Sequence, residues 1–189
     1  VPTTTRDRVL DAAESLFFSR GIAVTGVDRV ADAAGVAIAT LYKQAGSKDG
    51  LLAAVLERRL ADWTAHWDAA LAAAATDEDR LLALFDALVS YRAQARPTQW
   101  CCFLATASER PRQPGADVVQ DLLDRDTALL TRRLRELAEP LSDDPDELAA
   151  QLLVVYDGAL ASLLRQAPDD ALVRARRVAA AVVGAVRRP

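Results

Sequence analysis

Side chains able to do covalent or metal chemistry are scarce in this chain. His66 is the only histidine of 189 residues, and the two cysteines, Cys101 and Cys102, are neighbours. Adjacent cysteines rarely meet disulfide geometry, so no disulfide scaffold is expected. No Cys/His set has zinc spacing, and no Glu-x-x-His pair marks a di-iron bundle. No metal and no cofactor are therefore expected. Any Ser-His or Cys-His nucleophile would have to share His66 as its base. The catalytic inventory is too poor for an enzyme, and recognition chemistry is the better expectation.

Composition sets the frame for that chemistry. Apolar residues make up 51% of the chain and charged residues 26%, a globular balance with enough apolar surface for a core. The formal net charge is −4, which argues against nucleic acid for the chain as a whole. The charge is uneven, however. Residues 1–50 hold six basic groups (Arg6, Arg8, Arg20, Arg29, Lys43, Lys48) and six acidic ones, so the excess acid lies beyond residue 50. No uninterrupted apolar run reaches the ~18 residues of a membrane span. The opening Val-Pro-Thr-Thr-Thr lacks the order of a secretory signal. No membrane association is expected, and a cytoplasmic location is.

The apolar spacing is helical almost throughout, which predicts an all-α fold of about nine helices. Val9, Leu10, Ala13, Leu16 and Phe17 share a face. Thr4 with Asp7 predicts the start of that first helix and Gly21 its end. A second helix is expected from Thr25, with Asp28 completing a Thr-x-x-Asp signature, to Ala34 before Gly35. A third covers about 37–44, and Gly46 and Ser47 open a long fourth helix to about 74. Thr76 and Asp79 open a fifth, ended by Pro97, and a short sixth covers about 99–109. The loop 110–115 precedes a helix over 116–138, and Pro145 and Pro168 begin two last helices over about 145–166 and 169–187. No linker composition marks a boundary. The expected division is 1–50 and 51–189, falling near the start of the fourth helix.

A helix over 25–34, a Gly35 turn and a second short helix make a helix-turn-helix arrangement, whose second helix can enter a major groove about 12 Å wide. The residues narrow this further. Gly-Ile-Ala-Val-Thr (21–25), Val-Asp-Arg-Val-Ala (27–31), Ala-Ala-Gly-Val (33–36), Thr-Leu-Tyr (40–42), Gly-Ser-Lys (46–48) and Leu-Leu (51–52) stand in the order and spacing of one known domain. The segment resembles the DNA-binding domain of the tetracycline-repressor (TetR) family of bacterial regulators.

The resemblance implies roles at matching positions. Thr25 would cap the supporting helix and bond a phosphate. Thr40 and Tyr42 would lie on the recognition helix, and Lys48 would grip a phosphate at the start of the fourth. Lys43 can reach a phosphate or a guanine edge, and Gln44 can pair bidentately with adenine. Tyr42 could instead plug the helix junction, and Lys43 and Gln44 could be solvated surface. Arg6 and Arg8 could touch flanking phosphates or simply be surface charge. The chain departs from the family pattern at Ala37, where a polar cap is common, and at Ala45, where an aromatic is usual. Ile38 and Ala39 replace polar or glycine residues, so they offer only apolar contact, for example to thymine methyls.

For the remaining helices the resemblance implies ligand binding and dimerisation. Trp63 and Trp67 share a helix face. With Phe85, Tyr91, Trp100, Phe103 and Tyr156 they can line an apolar pocket for a small apolar or aromatic ligand, with His66 and Arg92 among the polar groups that orient it. The same aromatics could equally be ordinary core. In the last two helices, Leu152, Tyr156, Gly158, Ala159, Leu163, Val178, Ala181 and Val182 are expected to build a four-helix homodimer interface. A mid-helix glycine such as Gly158 costs ~1 kcal/mol against alanine, which close approach of a second backbone would explain. Alternatively both helices bury within one monomer. The expectation is a ligand-responsive regulator, a repressor, binding a near-palindromic double-stranded operator as a homodimer. The alternatives are a helical sensor or protein-interaction module without sequence-specific DNA binding, and an all-α enzyme independent of His66.

Overall fold

The computed structural model describes residues 4–94, 101–112, 114–165 and 171–186. Within these residues there are nine α-helices and no strand. They are α1 Thr5–Arg20, α2 Val27–Ala34, α3 Ile38–Ala45, α4 Lys48–Ala73, α5 Asp77–Gln94, α6 Cys102–Glu109, α7 Val118–Ala138, α8 Pro145–Leu164 and α9 Ala171–Val186. The all-α expectation holds.

Four helix starts follow from side chains three residues apart. At α1 the Thr4 hydroxyl accepts from the Asp7 N–H at 3.1 Å, and the Asp7 carboxylate accepts from the Thr4 N–H at 3.0 Å, closing a capping box. Thr76 caps α5 in the same way, accepting from the Asp79 N–H at 3.0 Å. Ser47 accepts from the Gly50 N–H at 2.9 Å ahead of α4. Asp144 accepts from the Glu147 N–H at 3.1 Å, with Pro145 opening α8. Helix α2 ends in a Schellman turn: Gly35 is left-handed and donates to Asp32, while the Val36 N–H reaches the Ala31 carbonyl at 3.0 Å.

One start was misplaced. Helix α2 begins at Val27 after Gly26, two residues later than the Thr-x-x-Asp signature predicts. Thr25 is buried, and its hydroxyl donates to the Gly21 carbonyl at 2.7 Å. That hydroxyl closes the turn after α1 and is not a cap. Pro97 and Pro168, expected to end one helix and open another, lie outside the described residues.

By contact the chain divides into two compact units, Val1–Ala61 with Arg96–Arg125 and Asp62–Ala95 with Asp126–Pro189. Helices α4 and α7 each give residues to both units. In the first unit, α1 packs on α2 and α2 on α3. Val9, Ala13, Phe17, Val30, Leu41, Leu52 and Leu56 form its core, and α6 adds Cys102, Phe103 and Ala105. In the second, α9 packs against α8 and α5, and Leu84, Phe85, Leu152, Leu160, Ala179 and Val183 on these helices are buried. Each fully buried large side chain contributes about 1.5–3 kcal/mol. By length and composition α8 could cross a membrane, although polar residues interrupt it. Its packing along α9 fits a core helix, which passes the same test of length and composition.

Candidate nucleic-acid interface

Leu41 is the buried side chain of α3 and anchors it. The helical period then turns Ile38, Ala39, Tyr42 and Lys43 outward. Ile38 and Tyr42 are each 45% exposed and available for contact. Tyr42 does not plug the helix junction. Gln44 is exposed near the helix end and Thr40 is half-buried. Ala37 provides no side-chain cap, so the leading N–H groups of α3 are open to an anion. Arg6, Arg8 and Arg29 are exposed on α1 and α2.

Two expected phosphate contacts are engaged inside the fold. Thr25 is 2% exposed and has almost no surface to offer a phosphate. The Lys48 ammonium donates to the Ala23 carbonyl at 3.1 Å. An ammonium has three donors, so this bond leaves others for a phosphate.

Behind the helix-turn-helix, α1 is fixed to α4 by charge. The buried Glu14 carboxylate lies 2.6 Å from the Arg58 guanidinium and 3.2 Å from that of Arg59, and Asp11 holds Arg58 at 2.8 Å. Sequence reading missed this cluster. Glu14 sits on the apolar face of α1 between Ala13 and Phe17, and that position was its only signal.

In the second unit the aromatics of α4, α5 and α8 meet. The Trp63 ring centroid is 6.1 Å from Trp67, 5.6 Å edge-on from Tyr91 and 6.0 Å from Tyr156. His66 lies edge-on to Tyr91 at 5.2 Å, and its Nδ1 donates to the Asp62 carbonyl at 2.8 Å. The Arg133 guanidinium covers Trp67 at 4.6 Å and pairs with Asp68. Both tryptophans are buried, yet neither indole N–H has a hydrogen-bond partner among the described residues. Phe85 is buried in the same unit, whereas Phe103 belongs to the first. Arg92 is half-buried on α5, and Trp100 lies outside the described residues. Burial, and then the neighbouring Cys101, push the Cys102 thiol up, which disfavours its thiolate.

The residues expected at a dimer interface divide into two sets. Leu152, Tyr156 and Ala159 are buried within their own chain. Gly158, Val178 and Ala181 are exposed, and Leu163 and Val182 are half-buried. The opposite face of α8 adds Val154 at 72% exposure and Leu164 at 43%, which sequence reading did not select. Among the described residues, nothing beyond α8's own nearby backbone lies within 4 Å of a Cβ added at Gly158. Among the described residues, no second backbone makes the close approach that would explain this glycine.

Among the described residues, the helices place an exposed α3 behind a glycine turn, the arrangement of a helix-turn-helix. A family model described as bacterial regulatory proteins of the tetR family matches residues 9–55. A TetR-family transcriptional regulator from Streptomyces coelicolor has a TM-score of 0.87 at 24% identity, covering 97% of this chain and 96% of that one. A structure described as a TetR transcriptional regulator from Streptomyces avermitilis has a TM-score of 0.72 at 32% identity, covering 93% and 98%. The transcriptional activator FasR of Mycolicibacterium smegmatis is 29% identical over 142 residues, 70% of this chain and 65% of its own length. The chain spans less than two thirds of that curated relative. The protein belongs to the TetR family of transcriptional regulators, which bind DNA and are not enzymes.

Proposed function

We propose that this protein is a ligand-responsive repressor of the bacterial cytoplasm, acting as a homodimer on a near-palindromic operator. Residues 1–50 read DNA, and residues 51–189 bind the effector and dimerise. The observation that carries this reading is the outward face of α3, where apolar Ile38, Ala39 and Tyr42 stand beside Lys43. Two copies present such helices to successive major grooves about 34–36 Å apart. The exposed small and apolar residues of α8 and α9 support pairing of two chains. Occupying an operator blocks other proteins without further contacts, which favours repression.

Lys48→Ala is expected to weaken binding to every sequence and to lower the salt slope by about one unit. Gln44→Ala should relax preference at one or two base pairs, by about 1–3 kcal/mol of discrimination. Fluorescence anisotropy across salt concentrations, on a duplex selected from a random pool and on a scrambled duplex, measures both. Equal loss on the two duplexes for Gln44→Ala removes it from base readout.

Buried donors without partners are costly and call for an explanation. The two indole N–H groups within an aromatic cluster favour an aromatic effector with acceptor oxygens, such as a ketone or carboxylate. A thermal-shift screen of such compounds is expected to find ones that release the duplex and displace the Trp63 and Trp67 indole resonances. At a hundred times its dissociation constant the compound adds about 2.7 kcal/mol of stability. Trp63→Phe and Trp67→Phe keep a ring while removing the donor, and each should weaken the ligand. Release of the duplex with both indole resonances unmoved would place the effector elsewhere.

A further inference from the structure

The turn between α1 and α2 is held from both sides by residues distant in sequence. Gly21 ends α1 at φ 106°, a conformation L side chains rarely adopt, and turns the next two peptides outward. The N–H groups of Ile22 and Ala23 then converge on one oxygen of Glu109, at 2.8 and 3.1 Å. Glu109 is the last residue of α6. On the other side of the turn, the Ala23 carbonyl accepts from Lys48 at the start of α4.

The neighbours of these two residues close the arrangement. Arg110 follows Glu109, and Asp49 follows Lys48. The Arg110 guanidinium donates to Asp49 at 2.6 Å and to Asp117, just before α7, at 2.8 Å. Burial opposes ionisation of Asp117, but the Arg110 hydrogen bond and the Gln120 and Val119 N–H groups outweigh it and hold the carboxyl below its usual range. The pairs Glu109–Arg110 and Lys48–Asp49 thus grip both the turn and each other.

We propose that Glu109 is a positioning residue for DNA recognition: its carboxylate fixes the turn that leads into α2, and so sets where the helix-turn-helix presents α3. It makes no phosphate contact in this role. Removing it should therefore lower affinity without changing the number of counterions released. Lys48 serves the same turn, so the two residues should not act independently.

The test uses the whole chain and the duplex selected from a random pool by the wild-type protein. Glu109→Ala is expected to lower affinity about tenfold or more, the scale of lost charge-assisted hydrogen bonds, with an unchanged salt slope. Glu109→Gln retains an acceptor oxygen and should recover part of the loss. Hydrogen exchange at the Ile22 and Ala23 amides should accelerate in Glu109→Ala and remain slow at the Val30 and Ala31 amides of α2. A double-mutant cycle with Lys48→Ala should show coupling. Affinity within twofold of wild type in Glu109→Ala overturns the proposal. A salt slope reduced by one unit also overturns it, because that identifies Glu109 loss with a lost phosphate contact. Unchanged exchange at both amides overturns it whether or not DNA binding is altered. Failure of the wild-type chain to select any duplex would instead overturn the sequence-specific DNA reading, and the exchange comparison would still decide the clasp.

Discussion

Replacing Glu14 by alanine is expected to cost about 3–5 kcal/mol of folding stability. The Glu14 side chain is 7% exposed and lies between Arg58 and Arg59, whose side chains are 26% and 9% exposed. Both guanidiniums lose solvation on folding and regain it from Glu14, with Asp11 assisting Arg58 at 2.8 Å. Alanine leaves that desolvation in place and removes the compensation. A loss of about 3–5 kcal/mol is a fifth or more of the ~5–15 kcal/mol typical of a domain. Urea denaturation followed by circular dichroism measures it as a lowered midpoint. Glu14→Gln keeps the shape and an acceptor and should cost less. Combining Glu14→Leu with Arg59→Met should recover much of the stability, because an apolar pair of similar volume needs no compensating charge. A Glu14→Ala loss below about 1 kcal/mol would mean that other groups carry Arg59 through folding.

Gly50→Ala is expected to displace the recognition helix. Gly50 lies in the first turn of α4, where the backbone doubles back on the end of α3. A Cβ at this position would overlap the Ala45 carbonyl oxygen, which is backbone and cannot rotate away. Either α4 loses its first turn or α3 shifts. Overpacking of this kind costs about 1–3 kcal/mol or more. If the strain is relieved by moving α3, it emerges as about a 5- to 150-fold loss of duplex affinity. Anisotropy on the selected duplex, with thermal unfolding as the companion measurement, separates relief through α3 from relief through α4. Wild-type affinity together with wild-type stability would show that the junction has more room than the α3–α4 geometry allows.

Much of the fold is legible in the sequence because its determinants are local. Thr4 with Asp7, Thr76 with Asp79, and the Asp144-Pro145 start each satisfy orphan N–H groups within three residues. Gly35 ends α2 through its own backbone conformation. The order of motifs from Gly21 to Leu52 was enough to identify the helix-turn-helix and the family. The face of α3 was also legible, since a single buried anchor at Leu41 and the helical period determine which residues point outward.

What only the tertiary structure decided involves partners distant along the chain. Thr25 reads as a cap, but burial against the end of α1 gives its hydroxyl to the Gly21 carbonyl. Lys48 reads as a free phosphate ligand, but the Ala23 carbonyl, 25 residues earlier, has one of its donors. Glu14 meets Arg58 across 44 residues, and Glu109 meets Ile22 across 87. The split of α8 into a buried face at Leu152, Tyr156 and Ala159 and a free one at Val154, Gly158 and Leu164 likewise depends on where α9 packs. Hydrophobic periodicity ranks residues by type, and both faces of α8 are apolar, so periodicity alone cannot tell them apart. A charged or small residue takes its role from the element brought against it, and that choice is made only when the helices pack.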